Sequence, residues 1–255
     1  MKYFVVSDVH SFFTKMKKAL DEAGFDKSDP NHTLISCGDL FDRGKESKET
    51  LEYVMSLERK ILVEGNHDAL IRQLIYYQRY PDYSDTHNGT IDTINQLGGE
   101  DNFIYSVNKV RENELIREYL STLRQYYETQ NYIFVHSWLP KAEGEDGSWQ
   151  YKNFRKASRR QFEQAEWGNP FERWKDMKND PDDKLGKTVV FGHWHTSWAH
   201  SHFDGDGYEL APDGMEPTDV CNFKPYYGDG IIGMDGCTAY SGVCNCIVLE
   251  DEPLD

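Results

Sequence analysis

The chain has 255 residues, with 28 Lys and Arg against 44 Asp and Glu, a formal charge of −16. That length suffices for one large domain with a sizeable core, and that charge excludes broad non-specific binding to nucleic acid and disfavours anionic membrane surfaces. No apolar run approaches the roughly 20 residues that span a bilayer, and five cysteines, an odd number in a long chain, argue against a disulfide framework and for a cytoplasmic protein.

The N-terminus opens on a strand, Tyr3-Phe4-Val5-Val6, with no signal-peptide pattern. A helix is predicted over 12–23, a strand over 33–36, a helix over 48–57 and a strand over 60–63. This alternation predicts a mixed α/β fold with a largely parallel sheet. Residues 71–130 are rich in Tyr, Gln and charge, with breaks at Tyr80-Pro81-Asp82, Asn88-Gly89 and Gly98-Gly99. They read as a helical insertion over the site, with Thr90 capping the helix after the Asn88-Gly89 turn. A strand over 132–135 follows. Residues 141–186 are polar, with Trp149, Trp167 and Trp174 among many charges, and read as an irregular, partly helical excursion. A strand over 188–191 returns to the sheet. The segment 201–229, with its Asp-Gly pairs and three prolines, reads as a long ordered loop. Residues 230–234 and 244–249 read as antiparallel pieces of a second sheet. Cys37 is expected in the core, and Cys244 and Cys246, two apart in a strand, are expected to pack on one face. No repeat, low-complexity tract or linker divides the chain, so a single domain over 1–255 is expected.

Four strings carry chemistry: Ser7-Asp8-Val9-His10, Gly38-Asp39-Leu40-Phe41-Asp42-Arg43-Gly44, Gly65-Asn66-His67-Asp68 and Gly192-His193-Trp194-His195. Each follows an apolar run that reads as a buried strand. Each therefore sets polar side chains on a loop at a strand's C-terminal end, where open α/β sheets bind their ligands. His136 follows a fifth such run, Tyr132-Ile133-Phe134-Val135, so five of the nine histidines fall in these elements. A site for two cations needs hard or borderline ligands and a carboxylate that can bridge. Asp39 is the central carboxylate and the natural bridge. Asp8 and His10, two residues apart, would share one side of an extended backbone. Asn66 offers a neutral carbonyl oxygen, and His136 and His193 offer imidazole nitrogens. One Asp-x-His alone reads as a surface loop; five such elements, each at a strand end, do not.

Asp-x-His, Gly-Asp-x-x-Asp-Arg-Gly and Gly-Asn-His-Asp at these spacings resemble the calcineurin-like metallophosphoesterase superfamily. The Arg43-Gly44 pair resembles its phosphoprotein phosphatase branch, in particular compact bacterial and phage enzymes. The resemblance covers residues 3–70 and short stretches near 136, 188–196 and 230–249. It implies a four-layer α-β-β-α sandwich with two mixed sheets and a dinuclear centre at strand C-terminal ends. It implies Asp8, His10 and Asp39 on one divalent cation, and Asp39, Asn66, His136 and His193 on a second, with Mn, Fe or Zn as the metal and Mn serving in vitro. A bridging water or hydroxide, acidified by both cations, would be the nucleophile. His67 would protonate the leaving oxygen, oriented by Asp42. Arg43 would grip the phosphate with its planar fork, with Asn66 and His67 also against the substrate.

Two departures stand out. Relatives in that branch carry a second phosphate-binding arginine in a Trp-x-Arg pattern, whereas Glu166-Trp167-Gly168-Asn169 puts Asn169 there, with Arg159, Arg160 and Arg173 nearby as substitutes. The pair His193 and His195 follows the Gly-His-x-His of the wider superfamily, which implies His195 as a further ligand on the cation of Asp8 and His10; the alternative is a ring stacked beside Trp194. Among weaker candidates, Asn88-Gly89 resembles a cleft-bordering Asn-Gly-Gly element, Asp235 stands near the site or in a turn, and Tyr226 and Tyr227 line the cleft or pack the loop. His200 and His202 are expected at the surface, and His32 and His87 carry no motif. The reading is a phosphoric ester hydrolase, with a phosphoprotein as substrate of a serine/threonine phosphatase. The second reading is a nucleotide hydrolase for diadenosine polyphosphates or cyclic nucleotides. A non-catalytic phospho-ligand binding module is the reading of another class.

Overall fold

Alternation in the first strand sets the layers. Tyr3 and Val5 share a core with Ile35, Phe134, Val190 and Ile232, while Phe4 and Val6 share another with Met16, Leu20 and Leu51, as a two-residue period requires of a strand covered on both faces. The structure, a computed structural model, describes residues 1–77, 79–209 and 220–254. Strand β1 (Lys2–Val6), helix α1 (Phe13–Glu22), β2 (His32–Ser36), α2 (Ser47–Ser56) and β3 (Lys60–Leu62) follow in turn. Helices α3 (Asn66–Tyr76), α4 (Tyr83–Asn88), α5 (Thr90–Gly98), α6 (Phe103–Glu112) and α7 (Glu114–Thr122) come next. Local signals bound them: Asp82 and Asn113 accept backbone N–H bonds at the heads of α4 and α7, and Gly99 ends α5 with φ 70°.

The chain then runs through β4 (Tyr126–Glu128), β5 (Tyr132–Val135), β6 (Ala142–Glu143), β7 (Trp149–Gln150), a 3-10 turn at Tyr151–Lys156, α8 (Arg159–Ala165) and α9 (Pro170–Lys178). It closes with β8 (Thr188–Phe191), α10 (Thr196–Ala199), β9 (Tyr226–Gly228), β10 (Ile231–Gly233), α11 (Thr238–Ser241) and β11 (Cys246–Glu250). The middle of the loop expected over 201–229 lies outside the described residues.

Two mixed sheets result. The first has the order β11-β1-β2-β3 and the second β4-β5-β8-β10-β9. β1, β2 and β3 run parallel, as do β5, β8 and β10, while β11, β4 and β9 pair antiparallel at the edges. The sheets face each other across Tyr3, Val5, Ile35, Phe134, Val190 and Met234. Helices α1, α2, α3 and α5 to α7 cover the outer face of the first, and α8, α9 and α10 that of the second. This is the expected α-β-β-α layering.

The pairing of the last two strands differs from expectation. β10 lies parallel to β8, and β11 leaves it to pair with β1 in the first sheet. Local pattern shows that a segment is a strand, but partners as far apart in sequence as Lys2 and Glu250 are chosen by which apolar faces fit. Cys37 is fully buried, and Cys244 and Cys246 both pack against the core beneath α1. Among the described residues no helix is long and apolar enough to cross a membrane.

Phe134 is fully buried between the sheets, with its ring 6.3 Å from Tyr3 and 6.2 Å from Tyr127. Phe134→Ala is expected to cost about 3–5 kcal/mol of stability, read as a lowered urea midpoint at unchanged m-value.

Candidate metal centre

The parallel strands of both sheets end at one edge, and the chain must turn sharply there to aim polar side chains at a shared point. It does so through left-handed backbone at Asp8 (φ 50°), His10 (51°), Asp39 (53°), Asp42 (74°), Arg43 (65°) and His193 (67°). Such conformations cost about 1–3 kcal/mol each for residues with a Cβ and gather at functional sites. The extended backbone expected at Asp8–His10 and at His193–His195 is therefore not what is found. The ligands reach the centre by tight turns, not by strand alternation. The third string also opens a helix where a loop is expected. Asn66 and His67 form the first turn of α3, headed by an Asp68 carboxyl that accepts the Gly65 N–H at 2.9 Å.

Donor atoms converge at this edge. Asn66 Oδ1 lies 2.8 Å from His136 Nε2 and 2.9 Å from His193 Nδ1, and those two nitrogens are 3.2 Å apart. The Asp39 carboxylate is 3.3 Å from His136 Nε2. Asp39 also groups with His10 and His67, the last at 3.9 Å. His136 Nδ1 donates to the Cys37 carbonyl and His10 Nδ1 to the Phe41 carbonyl, each at 2.8 Å. Those carbonyls hold the protons on Nδ1 and leave each Nε2 facing the centre, as oriented metal ligands require. Asp8 lies outside both clusters, but its carboxylate accepts the His193 N–H at 3.0 Å and so ties the two sheets together.

The field is strongly negative. Burial pushes the Asp8 carboxyl up to about 6 against the pull of His136. Burial alone would raise Asp39 too, yet His136 and His67 bring it well below the usual carboxylate range. Burial opposes charge on His136, but Asp39 outweighs it and lifts this imidazole to about 10. His193, buried and beside His136, falls to about 3. Two imidazoles, an amide oxygen and a carboxylate in such a field fit a borderline divalent cation such as Mn, Fe or Zn.

Beside these donors stands His67, whose Nδ1 is 2.7 Å from Asp42 Oδ2. Burial works against charging His67, but the Asp39 and Asp42 carboxylates raise its pKa. Two residues missed in the sequence hold Asp42: the Thr90 hydroxyl donates to its Oδ2 at 2.7 Å, and the Asp42 N–H donates to Thr93 Oγ1 at 3.0 Å. Thr90 therefore serves the site and is not the helix cap expected of it; Gly89, in left-handed backbone against the Arg43 amide, takes the cap position. The likeness of Asn88-Gly89 to a cleft-bordering element was the signal available in the sequence. Asp68 is a third such residue. Its Oδ2 accepts the Asp39 N–H at 3.2 Å and its Oδ1 accepts the Tyr119 hydroxyl at 2.7 Å. Arg43 is exposed, with Nη2 3.5 Å from His67 Nε2, and makes no ion pair among the described residues.

His195 belongs to neither donor cluster. Its Nδ1 is 2.8 Å from Ser197 Oγ, its ring stacks beside Trp194 at 6.3 Å, and burial lowers it to about 4. Asn169 caps α9 by accepting the Phe171 and Glu172 N–H groups at 3.0 and 3.4 Å. Arg159 pairs with Glu64 and Glu163, and Arg173 packs on Gly168. Asp235 accepts the Cys237 N–H in a tight turn and is raised well above the carboxylate range by burial and by Asp8. Tyr226 is buried against Phe171 at 5.6 Å, whereas Tyr227 is exposed. His202 is exposed and stacked on Trp198. His200 is buried, not at the surface as expected, because its Nε2 meets the Lys224 carbonyl at 3.1 Å and its ring packs on Tyr226.

Comparison with known proteins adds three findings. The family model described as calcineurin-like phosphoesterase matches residues 1–232. A symmetrical bis(5'-nucleosyl)-tetraphosphatase from Aromatoleum aromaticum is 35% identical over 77 residues, 30% of this chain and 28% of that protein. Less than a third of that relative's length is thus spanned. Among solved structures, a cold-active protein tyrosine phosphatase (TM-score 0.59, 15% identity, 98% of this chain and 73% of that one) shares the fold. So does a protein serine/threonine phosphatase from Saccharomyces cerevisiae (TM-score 0.54, 14% identity, 100% and 81%).

A Cβ on Gly192 would collide with the Asp8 carboxylate and the Ser7 hydroxyl. Gly192→Ala is expected to displace Asp8 and weaken manganese binding at least tenfold, about 1.4 kcal/mol, while far-UV circular dichroism stays native. Titration calorimetry with manganese reads the change; native affinity would show that the approach of these loops is not needed.

Proposed function

Because the chain belongs to the calcineurin-like phosphoesterase family, we propose that it is a metal-dependent phosphohydrolase, carried by one domain, whose substrate is a bis(5'-nucleosyl) polyphosphate. The convergence of Asn66 Oδ1, His136 Nε2, His193 Nδ1 and Asp39 beside the His67–Asp42 pair carries the reading. Asp8, His10 and Asp39 would hold one divalent cation, and Asp39, Asn66, His136 and His193 the other. Bound there, the cations supply positive charge to the phosphoryl oxygens and make water a stronger acid.

The chain's own groups account for the rest. Asp42 fixes His67 through Nδ1, which points Nε2 at the centre as a proton donor to the departing oxygen. Thr90 and Thr93 hold Asp42 in turn, so α5 positions the acid without touching the substrate. Arg43 offers an uncommitted guanidinium fork within reach of His67 Nε2, which places a phosphate beside the acid. Water is added across one P–O bond, and His67 delivers the proton that the leaving oxygen needs. Two observations favour a dinucleotide over a phosphoprotein. The relatives that align with the chain are named for bis(5'-nucleosyl) tetraphosphates, and Asn169 caps a helix at the place of the second phosphate-binding arginine.

Manganese-loaded protein assayed on diadenosine tetraphosphate, cyclic nucleotides and a phosphopeptide panel tests this reading. Preferred turnover of phosphopeptides would replace it, and binding without turnover would make the chain a binding module.

Asp39→Asn is expected to lower metal occupancy and abolish hydrolysis of para-nitrophenyl phosphate. His67→Asn should keep both cations yet slow substrates with basic leaving groups most, by roughly 10²–10⁴-fold. Equal losses across a leaving-group series would remove the acid role.

His195 stays outside the proposed ligand set because it joins neither donor cluster and its contacts are with Ser197 and Trp194. His195→Ala should therefore retain two cations per chain by elemental analysis. A drop to one, with activity rescued by excess manganese, would restore His195 as a ligand.

A further inference from the structure

A cleft of about 460 Å³ lies between α3 and the turn after α8, with Glu64, next to the Gly65-Asn66-His67 string, in its lining. The turn is tied to the ligand loop, since Ser137, next to His136, donates its hydroxyl to the Gly168 carbonyl at 2.6 Å. The cleft runs along α3 from Ala69 to Tyr77, which stands roughly 16 Å up the helix from Asn66 at 1.5 Å per residue. Two aromatic rings stand at its rim with large exposed faces, Trp167 at 55% and Tyr77 at 73%. Both rings line the same cleft, so their exposed faces are available to one flat ligand. Within the cleft, the guanidinium groups of Arg72 and Arg159 are both fixed by the buried Glu64 carboxylate, at 2.8 and 2.6 Å. Glu166 lines the same cleft at 4% exposure, and its Oε2 has no hydrogen-bond partner. Leaving a buried carboxyl oxygen unpaired is costly, so a ligand group that bonds it binds more tightly for doing so.

We propose that this cleft is the nucleoside subsite, in which a nucleobase stacks on Trp167 and Tyr77 and hydrogen-bonds the Glu166 carboxyl while its phosphates reach the centre. Aromatic faces suit any base, and fixed guanidinium planes add flat cationic surface for base or phosphate. The position at the end of α3 leaves room for a ribose between base and phosphate. Burial holds the Glu166 carboxyl up to about 8, so at neutral pH it presents one donor and one acceptor, the pattern of an adenine edge. The inference rests on the dinucleotide reading above.

The test compares Trp167→Ala and Trp167→Phe with the unaltered manganese-loaded enzyme on diadenosine tetraphosphate and on para-nitrophenyl phosphate. Trp167→Ala should raise KM for the dinucleotide roughly tenfold with kcat little changed, and lower the ratio of kcat/KM for the two substrates by the same factor. Trp167→Phe should restore most of the loss; Glu166→Leu, which has neither donor nor acceptor, should weaken the dinucleotide selectively, whereas Glu166→Gln, which keeps both, should not. Equal losses on both substrates, or none on either, would overturn the subsite while the dinucleotide reading stands. If the unaltered enzyme does not turn over dinucleotides, that reading falls. The cleft is then judged by inhibition of para-nitrophenyl phosphate hydrolysis. Adenosine diphosphate should inhibit better than pyrophosphate in the unaltered enzyme and lose that advantage in Trp167→Ala. Equal inhibition by the two in the unaltered enzyme would overturn the subsite.

Discussion

The charge of Asp39 is the constraint around which this structure is arranged. A carboxylate at 2% exposure is tolerable only where donors and positive groups compensate for lost water. The His67 amide donates to its Oδ1 at 3.0 Å, and the His136 and His67 rings stand at 3.3 and 3.9 Å. The Asp39 amide in turn donates to Asp68, whose carboxyl is raised to about 7 by burial and by Asp39 itself. Tyr119 closes the chain of bonds from α7. A field that lifts His136 to about 10 equally favours a divalent cation at the same point.

Bringing so many polar groups to one point requires loops to approach within contact distance. Two glycines make that possible by lacking a side chain: a Cβ on Gly65 would strike the Asp39 carboxylate, and one on Gly192 the Asp8 carboxylate. The sharp turns at the strand ends are the energetic counterpart of this crowding. Six polar residues of the site sit in left-handed backbone, a cost borne by the two sheets and the apolar core between them, which fix the strand ends in place.

The helices of residues 66–122 serve two purposes. Their apolar faces cover the first sheet, and their polar residues Thr90, Thr93 and Tyr119 reach back to orient Asp42 and Asp68. The first of them, α3, forms one wall of the Trp167 cleft. One segment therefore holds Asp42, the partner of His67, and lines the neighbouring cleft.

Much of this was legible in the sequence. Apolar runs followed by Asp, Asn and His announced strands with polar side chains at their C-terminal ends, because a two-residue period and a turn signal are local properties. The layered α/β fold followed from them, and so did the gathering of His10, Asp39, His67, His136 and His193 at one edge. The tertiary structure alone decided what long-range contacts control. It placed β11 on β1, joined Thr90 to Asp42 across 48 residues and Tyr119 to Asp68 across 51, buried His200 under Tyr226, and turned His195 toward Ser197. A sequence names which side chains can bind a cation or a phosphate, but the direction each one faces depends on backbone angles and partners that only the packed chain supplies.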